Sequence, residues 1–277
     1  MKKKIKMIGL DLDGTVFNEE KKITPHTRVV LEEAIRRGIT VLPATGRPEA
    51  GLPEQFLEIP GVRYALTSNG SRIIDLEKKE TVYEELIPWE MAQELIGTLA
   101  ACPHSAWEAY YGGKCFVDQD TYRFLEEPGM TPAVKEYIKK TRNLWPHLIP
   151  YMRENRIAVE KLHMVFDDRQ ERDRMLVKLK EDSRIDASFA STFNLEIISA
   201  KSGKGNGLLA LGRILGIKQE EIMACGDSWN DWDMLKKAGL AVVMENGDPE
   251  TKKLADFITK SNEEDGVAWA IEQLVLE

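Results

Sequence analysis

Apolar residues in this chain come in short runs that end in small polar residues. The first run, Ile5-Lys6-Met7-Ile8-Gly9-Leu10, breaks into Asp11-Leu12-Asp13-Gly14-Thr15 and reads as a buried strand. A helix over 27–37 follows, with Thr24 suited to the N-cap and Pro25 to the first helical position. Val30, Leu31, Ala34 and Ile35 recur in it at helical spacing, and Gly38 ends it. Residues 39–44 are a second strand, running into Thr45-Gly46-Arg47-Pro48. The pattern then predicts a helix over 49–58 and a third strand over 63–67, running into Ser68-Asn69-Gly70. Apolar strands alternating with helices predict an α/β fold with a doubly wound, Rossmann-like parallel sheet.

The rhythm changes near Arg72. Residues 72–75 and 81–83 flank a charged turn and suggest a hairpin. Residues 106–111 and 114–117 flank Gly112-Gly113, a second hairpin signal. A strand over 161–166, a helix over 169–180 and a strand over 184–190 complete an α+β pattern. The α/β rhythm returns at Leu195-Glu196-Ile197-Ile198, then a helix over 203–215. The strand Ile222-Met223-Ala224-Cys225 runs into Gly226-Asp227-Ser228-Trp229-Asn230-Asp231. A helix to residue 238, strands over 240–244 and 257–259 and a helix over 266–276 close the chain. The expected organisation is a core of residues 1–82 and 194–277, interrupted by an inserted α+β domain of residues 83–193.

Composition narrows the function classes. With 277 residues, 43% hydrophobic and 30% charged, the chain can build one large or two ordinary domains. A net charge of −8 argues against nucleic acid as a partner. Lys2-Lys3-Lys4 resembles a signal n-region, but the apolar stretch behind it ends at Asp11, too short for an h-region. No stretch is long and apolar enough for a membrane span. Cys102, Cys115 and Cys225 are scattered and odd in number, as expected of reduced thiols in a cytoplasmic protein.

The chemistry lies where the strands end. Two acids directly after a buried strand are costly unless they face a site, and ligands of open α/β sheets bind at the carboxyl ends of strands. Residues i and i+2 on an extended segment point the same way, so Asp11 and Asp13 can converge. Thr45-Gly46, Ser68-Asn69, Lys204 and the cluster Asp227, Asn230, Asp231 join them from other strand ends. Carboxylates and amides without His or Cys are hard oxygen ligands that suit Mg²⁺. A metal, a lysine, a hydroxyl and backbone N–H groups make a clamp for a phosphoryl group. Each piece alone has a plainer reading. Lys204 fails the Walker-A spacing and could be a surface lysine; residues 227–231 could be a helix cap. His26, His104, His147 and His163 share no spacing and read as surface or packing residues. Trp107, Tyr110 and Tyr111 read as core.

Together and in order, Asp11-Leu12-Asp13-Gly14-Thr15, Ala44-Thr45-Gly46-Arg47, Ser68-Asn69-Gly70, Lys204-Gly205 and Gly226-Asp227-Ser228-Trp229-Asn230-Asp231 resemble the haloacid dehalogenase superfamily. Val243-Met244-Glu245-Asn246-Gly247, Ala255-Asp256 and Asp265-Gly266-Val267-Ala268 are similar to its Cof-type phosphatase branch. The chain departs from that branch around Asn246, where the branch usually has glycine before and alanine after. The insertion matches the branch's mobile cap in position and size.

The resemblance implies roles. Asp11 would be the nucleophile that takes the phosphoryl group, and Asp13 the acid that protonates the leaving oxygen and then activates water. Asp11, the Asp13 carbonyl and Asp227 would hold Mg²⁺, with Asp231 behind them. Leu12 N–H, Thr45, Gly46, Lys204 and Asn230 would cradle the phosphate. Arg47, Tyr111, Lys161 and His163 are candidates for substrate contact. The expected activity is Mg²⁺-dependent hydrolysis of a small phosphorylated metabolite, a sugar phosphate, by a monomer or small homo-oligomer without nucleic-acid or membrane partners. The rival readings are a phosphotransferase or mutase on the same fold, a phospho-receiver domain, and a sugar-phosphate sensor with a silent site. The receiver would carry its acceptor where this chain has Ser68-Asn69.

Overall fold

The computed structural model describes residues 4–102, 105–119, 121–125, 130–189 and 191–277. The chain opens with β1 (Met7–Leu10), α1 (Pro25–Arg36), β2 (Thr40–Pro43), the single turn α2 (Glu54–Leu57), β3 (Tyr64–Thr67), β4 (Arg72–Asp75) and β5 (Glu80–Glu84). The middle carries α3 (Trp89–Leu99), β6 (Ser105–Tyr111), β7 (Lys114–Asp118), α4 (Pro132–Thr141), β8 (Arg142–Trp145), α5 (Leu148–Glu154), β9 (Lys161–Phe166), α6 (Arg169–Leu179), β10 (Ile185–Ser188) and β11 (Asn194–Ser199). Then come α7 (Lys204–Leu215), β12 (Ile222–Gly226), α8 (Trp232–Lys237), β13 (Leu240–Val243), α9 (Pro249–Lys252), β14 (Phe257–Ile258) and α10 (Gly266–Ile271).

Two compact units result: Met1–Gly46, Leu52–Tyr83 and Gly203–Glu277 form the first, Arg47–Gly51 and Glu84–Ser202 the second. Among the described residues of the first, five strands pair in parallel in the order β14-β13-β12-β1-β2. Side chains alternate across β1: Ile8 and Leu10 enter an apolar cluster with Leu31, Val41, Phe56 and Val267, while Met7 enters another with Leu42, Leu208 and Leu211. Apolar packing on both faces explains why the strands read as runs rather than alternations. Helix α1 starts as its sequence dictates, with the Thr27 N–H donating to Thr24 Oγ1 at 3.1 Å and Pro25 in the first turn.

Three sequence expectations change. The third strand does not extend the parallel sheet along its length: β3 pairs antiparallel with β4 and meets β2 at one bridge, Ala44 to Leu66. The helix expected over 49–58 breaks into a 3-10 turn, Glu49–Gly51, and α2, because Pro53 cannot sit inside a helix. The boundary at residue 194 also moves. Strand β11 pairs antiparallel with β9 and β10 inside the second unit, and the first unit resumes at Gly203. The segment Asn194-Leu195-Glu196-Ile197 alternates polar and apolar, the mark of a strand with one apolar face buried.

The second unit is a sheet ordered β10-β11-β9-β6-β7-β8, antiparallel except for β7 beside β8. Trp107, Leu162, Met164, Leu195 and Ile197 pack on one face with Ala92, Leu95, Ile96 and Leu99 of α3. Alternation puts Glu108, Tyr110, Lys161, His163 and Glu196 on the other. Trp107 and Tyr110 are buried as expected, whereas Tyr111 is exposed. His104, Lys2, Lys3 and Ala190 lie outside the described residues. Among the described residues, no helix is long and apolar enough to cross a membrane.

Replacing residues 84–202 by a short flexible linker should leave a chain that melts cooperatively, because the excision follows the unit boundary. Excising only 84–192 strands β11 with Leu195 and Ile197 unpartnered and should give an aggregating product. Circular dichroism melts and size-exclusion chromatography check both, and equal behaviour of the two chains would contradict the boundary.

Candidate active site

Neighbouring parallel strands β1 and β12 each end in an acid, Asp11 and Asp227. The Asp11 N–H donates to Cys225 O at 3.0 Å, so pairing continues to Asp11 itself. Lys204, first residue of α7, places Nζ 2.6 Å from Asp11 Oδ1 and 2.7 Å from Asp231 Oδ1. Lys204 and Asp231 are fully buried and Asp11 nearly so. The other oxygen of Asp231 accepts from the N–H groups of Asp227 and Ser228 at 2.9 and 3.1 Å. Asp231 therefore caps its own loop and also holds the lysine. Thr15 Oγ1 donates to Asp227 Oδ1 at 2.8 Å. At Gly14 the backbone is left-handed, and a Cβ there would lie 2.6 Å from Asp227 Oδ2, so glycine is required.

Charge decides what this cluster holds. Burial pushes Asp11 well above the ordinary carboxylate range; Asp231 and Asp227 add to the push, and Lys204 opposes it. Burial, then Asp231, raises Asp227 to about 6. Burial works against the charge of Lys204, but Asp11 and Asp231 outweigh it and hold the lysine above its usual range. Carboxylate atoms of Asp11, Asp227 and Asp231 lie within 4.8 Å of one another. Three carboxyl groups gather beside one ammonium, and every donor they offer is a hard oxygen. That donor set fits a divalent cation such as Mg²⁺.

The other candidates have separate partners. The Asp13 side chain is exposed and accepts from Lys21 Nζ at 2.9 Å. The carbonyl of buried Leu12 accepts from the N–H groups of Val16 and Phe17. Buried Thr45 donates its N–H to Leu66 O and accepts at its own carbonyl from the N–H of Asn69; Gly46 follows it at the end of that first-unit segment. Asn230 Oδ1 accepts from Ser228 Oγ at 2.8 Å. In the atypical loop, Asn246 Nδ2 still reaches Gly14 O at 2.8 Å.

Arg47, Tyr111, Lys161 and His163 all belong to the second unit. Three of them, Arg47, Lys161 and His163, are linked through Tyr137, Arg142, Glu108 and Tyr110, whereas Tyr111 packs on Phe116. His163 Nδ1 lies 2.6 Å from Glu108 Oε2, and Arg142 donates to both oxygens of Glu108 at 2.6 and 3.1 Å. Burial disfavours ionised Glu108, but Arg142 and His163 outweigh it and hold its carboxyl far below the usual range. Lys161 pairs with Glu196 and sits 4.4 Å from the Tyr110 ring centre. Arg47 lies over the Tyr137 ring, and Tyr111 contacts Phe116. His26, by contrast, is half exposed between Asp265 and Glu272.

A sequence profile of the haloacid dehalogenase-like hydrolases matches residues 8–271. The chain belongs to this family. A 5-amino-6-(5-phospho-D-ribitylamino)uracil phosphatase of Bacillus subtilis is 30% identical, covering 98% of this chain and 96% of its own. A haloacid dehalogenase-like hydrolase of Bacteroides thetaiotaomicron superposes with a TM-score of 0.78 at 30% identity, over 98% and 99% of the two chains. Another from B. subtilis superposes at 0.85 and 25% identity, over 98% and 100%. The chain is thus a haloacid dehalogenase-like hydrolase in fold and in sequence, with a relative named as a phosphatase.

Three residues that help build the hydrolase site carried no assigned role in the sequence. Thr15 sits inside the first motif, so only its partner was hidden. Ser228 likewise lies in a named motif, and its backbone helps orient Asp231. Asp233 had no signal: its Oδ2 accepts from the N–H groups of Gly205 and Asn206 at 2.8 and 3.2 Å and caps the turn that carries Lys204. Its partners are 28 and 27 residues away.

Asp227 stands at about 6 in the fold, against about 3.9 unfolded. An acid raised in this way contributes stability in its protonated form, fully present below about pH 4 and lost as pH rises through about 6. In EDTA-treated protein, Asp227→Asn should melt above wild type at about pH 7.5, with the gap narrowing as pH falls below about 6 and closing towards about pH 4. Scanning calorimetry across that range checks it, and a gap independent of pH would contradict the assignment.

Proposed function

We propose that this chain is a Mg²⁺-dependent phosphatase that hydrolyses a small phosphorylated metabolite through an aspartyl-phosphate. One observation carries the reading: Asp11 shares the buried Lys204 ammonium with Asp231, beside Asp227, at the ends of adjacent parallel strands. Asp11 Oδ attacks phosphorus, and the bond to the substrate's ester oxygen breaks. Asp13 gives that oxygen its proton. Water then attacks the phosphoryl group, Asp13 takes the water's proton, and the bond to Asp11 breaks to return its carboxylate. Splitting one displacement into two lowers each barrier. Lys204 offsets the negative charge that gathers around Asp11, while Thr45, Gly46, Asn230 and the Leu12 N–H are assigned to the phosphoryl oxygens. Asp11, Asp227 and the Asp13 carbonyl, with Asp231 behind them, would hold Mg²⁺, which would supply positive charge for that phosphoryl group.

For the substrate we favour a phosphorylated sugar or sugar alcohol. A 30% identical relative is named for a phosphoribityl compound. The net charge of −8 disfavours polyanionic nucleic acid. A screen over phosphorylated metabolites, reading released phosphate with and without an acceptor sugar, tests the class and separates hydrolysis from transfer.

Asp11→Asn keeps size and polarity but removes the attacking charge. Activity towards p-nitrophenyl phosphate should fall at least about a thousandfold, the scale on which covalent catalysis acts, with the circular dichroism spectrum unchanged. A folded variant near wild-type activity would remove the nucleophile assignment. EDTA should abolish turnover and Mg²⁺ restore it, with Ca²⁺ a poor substitute because it prefers more ligands at longer distances. Full activity in EDTA would contradict the metal assignment.

A further inference from the structure

The turn after the first motif aims a lysine at Asp13. Lys21 Nζ lies 2.9 Å from Asp13 Oδ1. The side chains are 54% and 44% exposed, so the pair contributes little to folding stability. Yet the chain holds Lys21 in left-handed backbone at φ 60, a conformation that disfavours residues with a Cβ. That conformation is fixed from several directions. Lys21 N–H donates to Asn18 O at 2.9 Å, and Asn18 N–H to Lys22 O at 3.1 Å. Lys22 N–H donates to Asn18 Oδ1 at 2.9 Å. Gln55, on α2, grips the turn on both sides: its Nε2 donates to Lys21 O at 2.6 Å, and its Oε1 accepts from Ile23 N–H at 2.9 Å. Asn262 Nδ2 secures the base of the turn through Phe17 O at 2.9 Å. All these residues belong to the first unit. Strain held by so many bonds, for an ion pair of little stabilising value, points to a role in the site.

We propose that Lys21 is a positioning residue for the second half of the reaction: its ammonium fixes the rotation of the Asp13 carboxylate while that group accepts a proton from the attacking water. The inference rests on the reading of Asp13 as the acid and base. The step balances: water oxygen bonds to phosphorus, its proton passes to Asp13, and the phosphorus–oxygen bond to Asp11 breaks with its electrons returning to that carboxylate. A carboxylate free to rotate is out of line for much of the time, and general base catalysis is sensitive to such geometry. Attack on a substrate with a good leaving group needs little help from Asp13, so the two half-reactions separate.

The test uses the full chain, Mg²⁺ and p-nitrophenyl phosphate. In Lys21→Met, hydrolysis of the intermediate should limit turnover, so kcat and KM fall together by about tenfold while kcat/KM, which reports only steps through p-nitrophenol release, stays constant. Rapid mixing should show a burst of p-nitrophenol. Lys21→Arg, which keeps a donor, should recover most of kcat, and melting temperatures should match wild type. Wild-type kcat in Lys21→Met, or a fall in kcat/KM at unchanged KM, overturns the proposal. So does a Lys21→Arg variant as impaired as Lys21→Met, which would assign the effect to turn geometry. Asp13→Asn separates the layers. If it is fully active, the acid–base reading fails and this inference with it; if it is inactive while Lys21→Met behaves as wild type, this inference alone fails.

Discussion

The ammonium of Lys204 lies 2.6 Å from Asp11 and 2.7 Å from Asp231, with all three groups shielded from water. Removing the lysine would leave two buried carboxylates with no cation between them, a cost on the order of 3–5 kcal/mol. The lysine stands at the start of a helix, where the macrodipole disfavours a cation, so the carboxylates must offset that as well. Much of the first unit serves this contact. Strands β1 and β12 bring their acids side by side, Asp233 fixes the turn that launches α7, and Gly14 leaves room for Asp227. The same excess of carboxylates that a phosphatase needs around a cation is a source of repulsion without one.

The second unit follows a different physical plan. Its sheet is apolar on one face, where α3 packs, and charged on the other. Glu108, Arg142 and His163 form a buried network that Tyr110 joins to the Lys161–Glu196 pair. Buried networks of this kind fix side-chain geometry more than they add stability. Arg47, Lys161 and His163, proposed from the sequence as substrate contacts, are thus joined through these internal contacts, while Tyr111, the fourth, packs on Phe116 and is exposed.

The sequence by itself determined the local periods and the chemistry at strand ends. The apolar runs ending at Asp11, Thr45 and Asp227 specify a parallel sheet with helices on both faces, because strands buried on both sides cannot alternate. Thr24-Pro25 specifies a helix start from capping chemistry alone. Hard oxygen groups without histidine or cysteine specify the kind of cation, and the ordered motif set specifies the family. Only the tertiary structure decided which elements share a sheet and which side chains meet. Residues 195–198 read as a returning strand of the core until pairing with β9 set them in the second unit. Lys204 alone reads as a surface lysine, since its partners are 193 and 27 residues away. Nothing local marks Lys21 as the partner of Asp13, because a turn's handedness and the reach of Gln55 depend on packing. Periodicity is a property of neighbouring residues, whereas burial of a charge and the identity of its partner are set by chain segments that meet only in the fold.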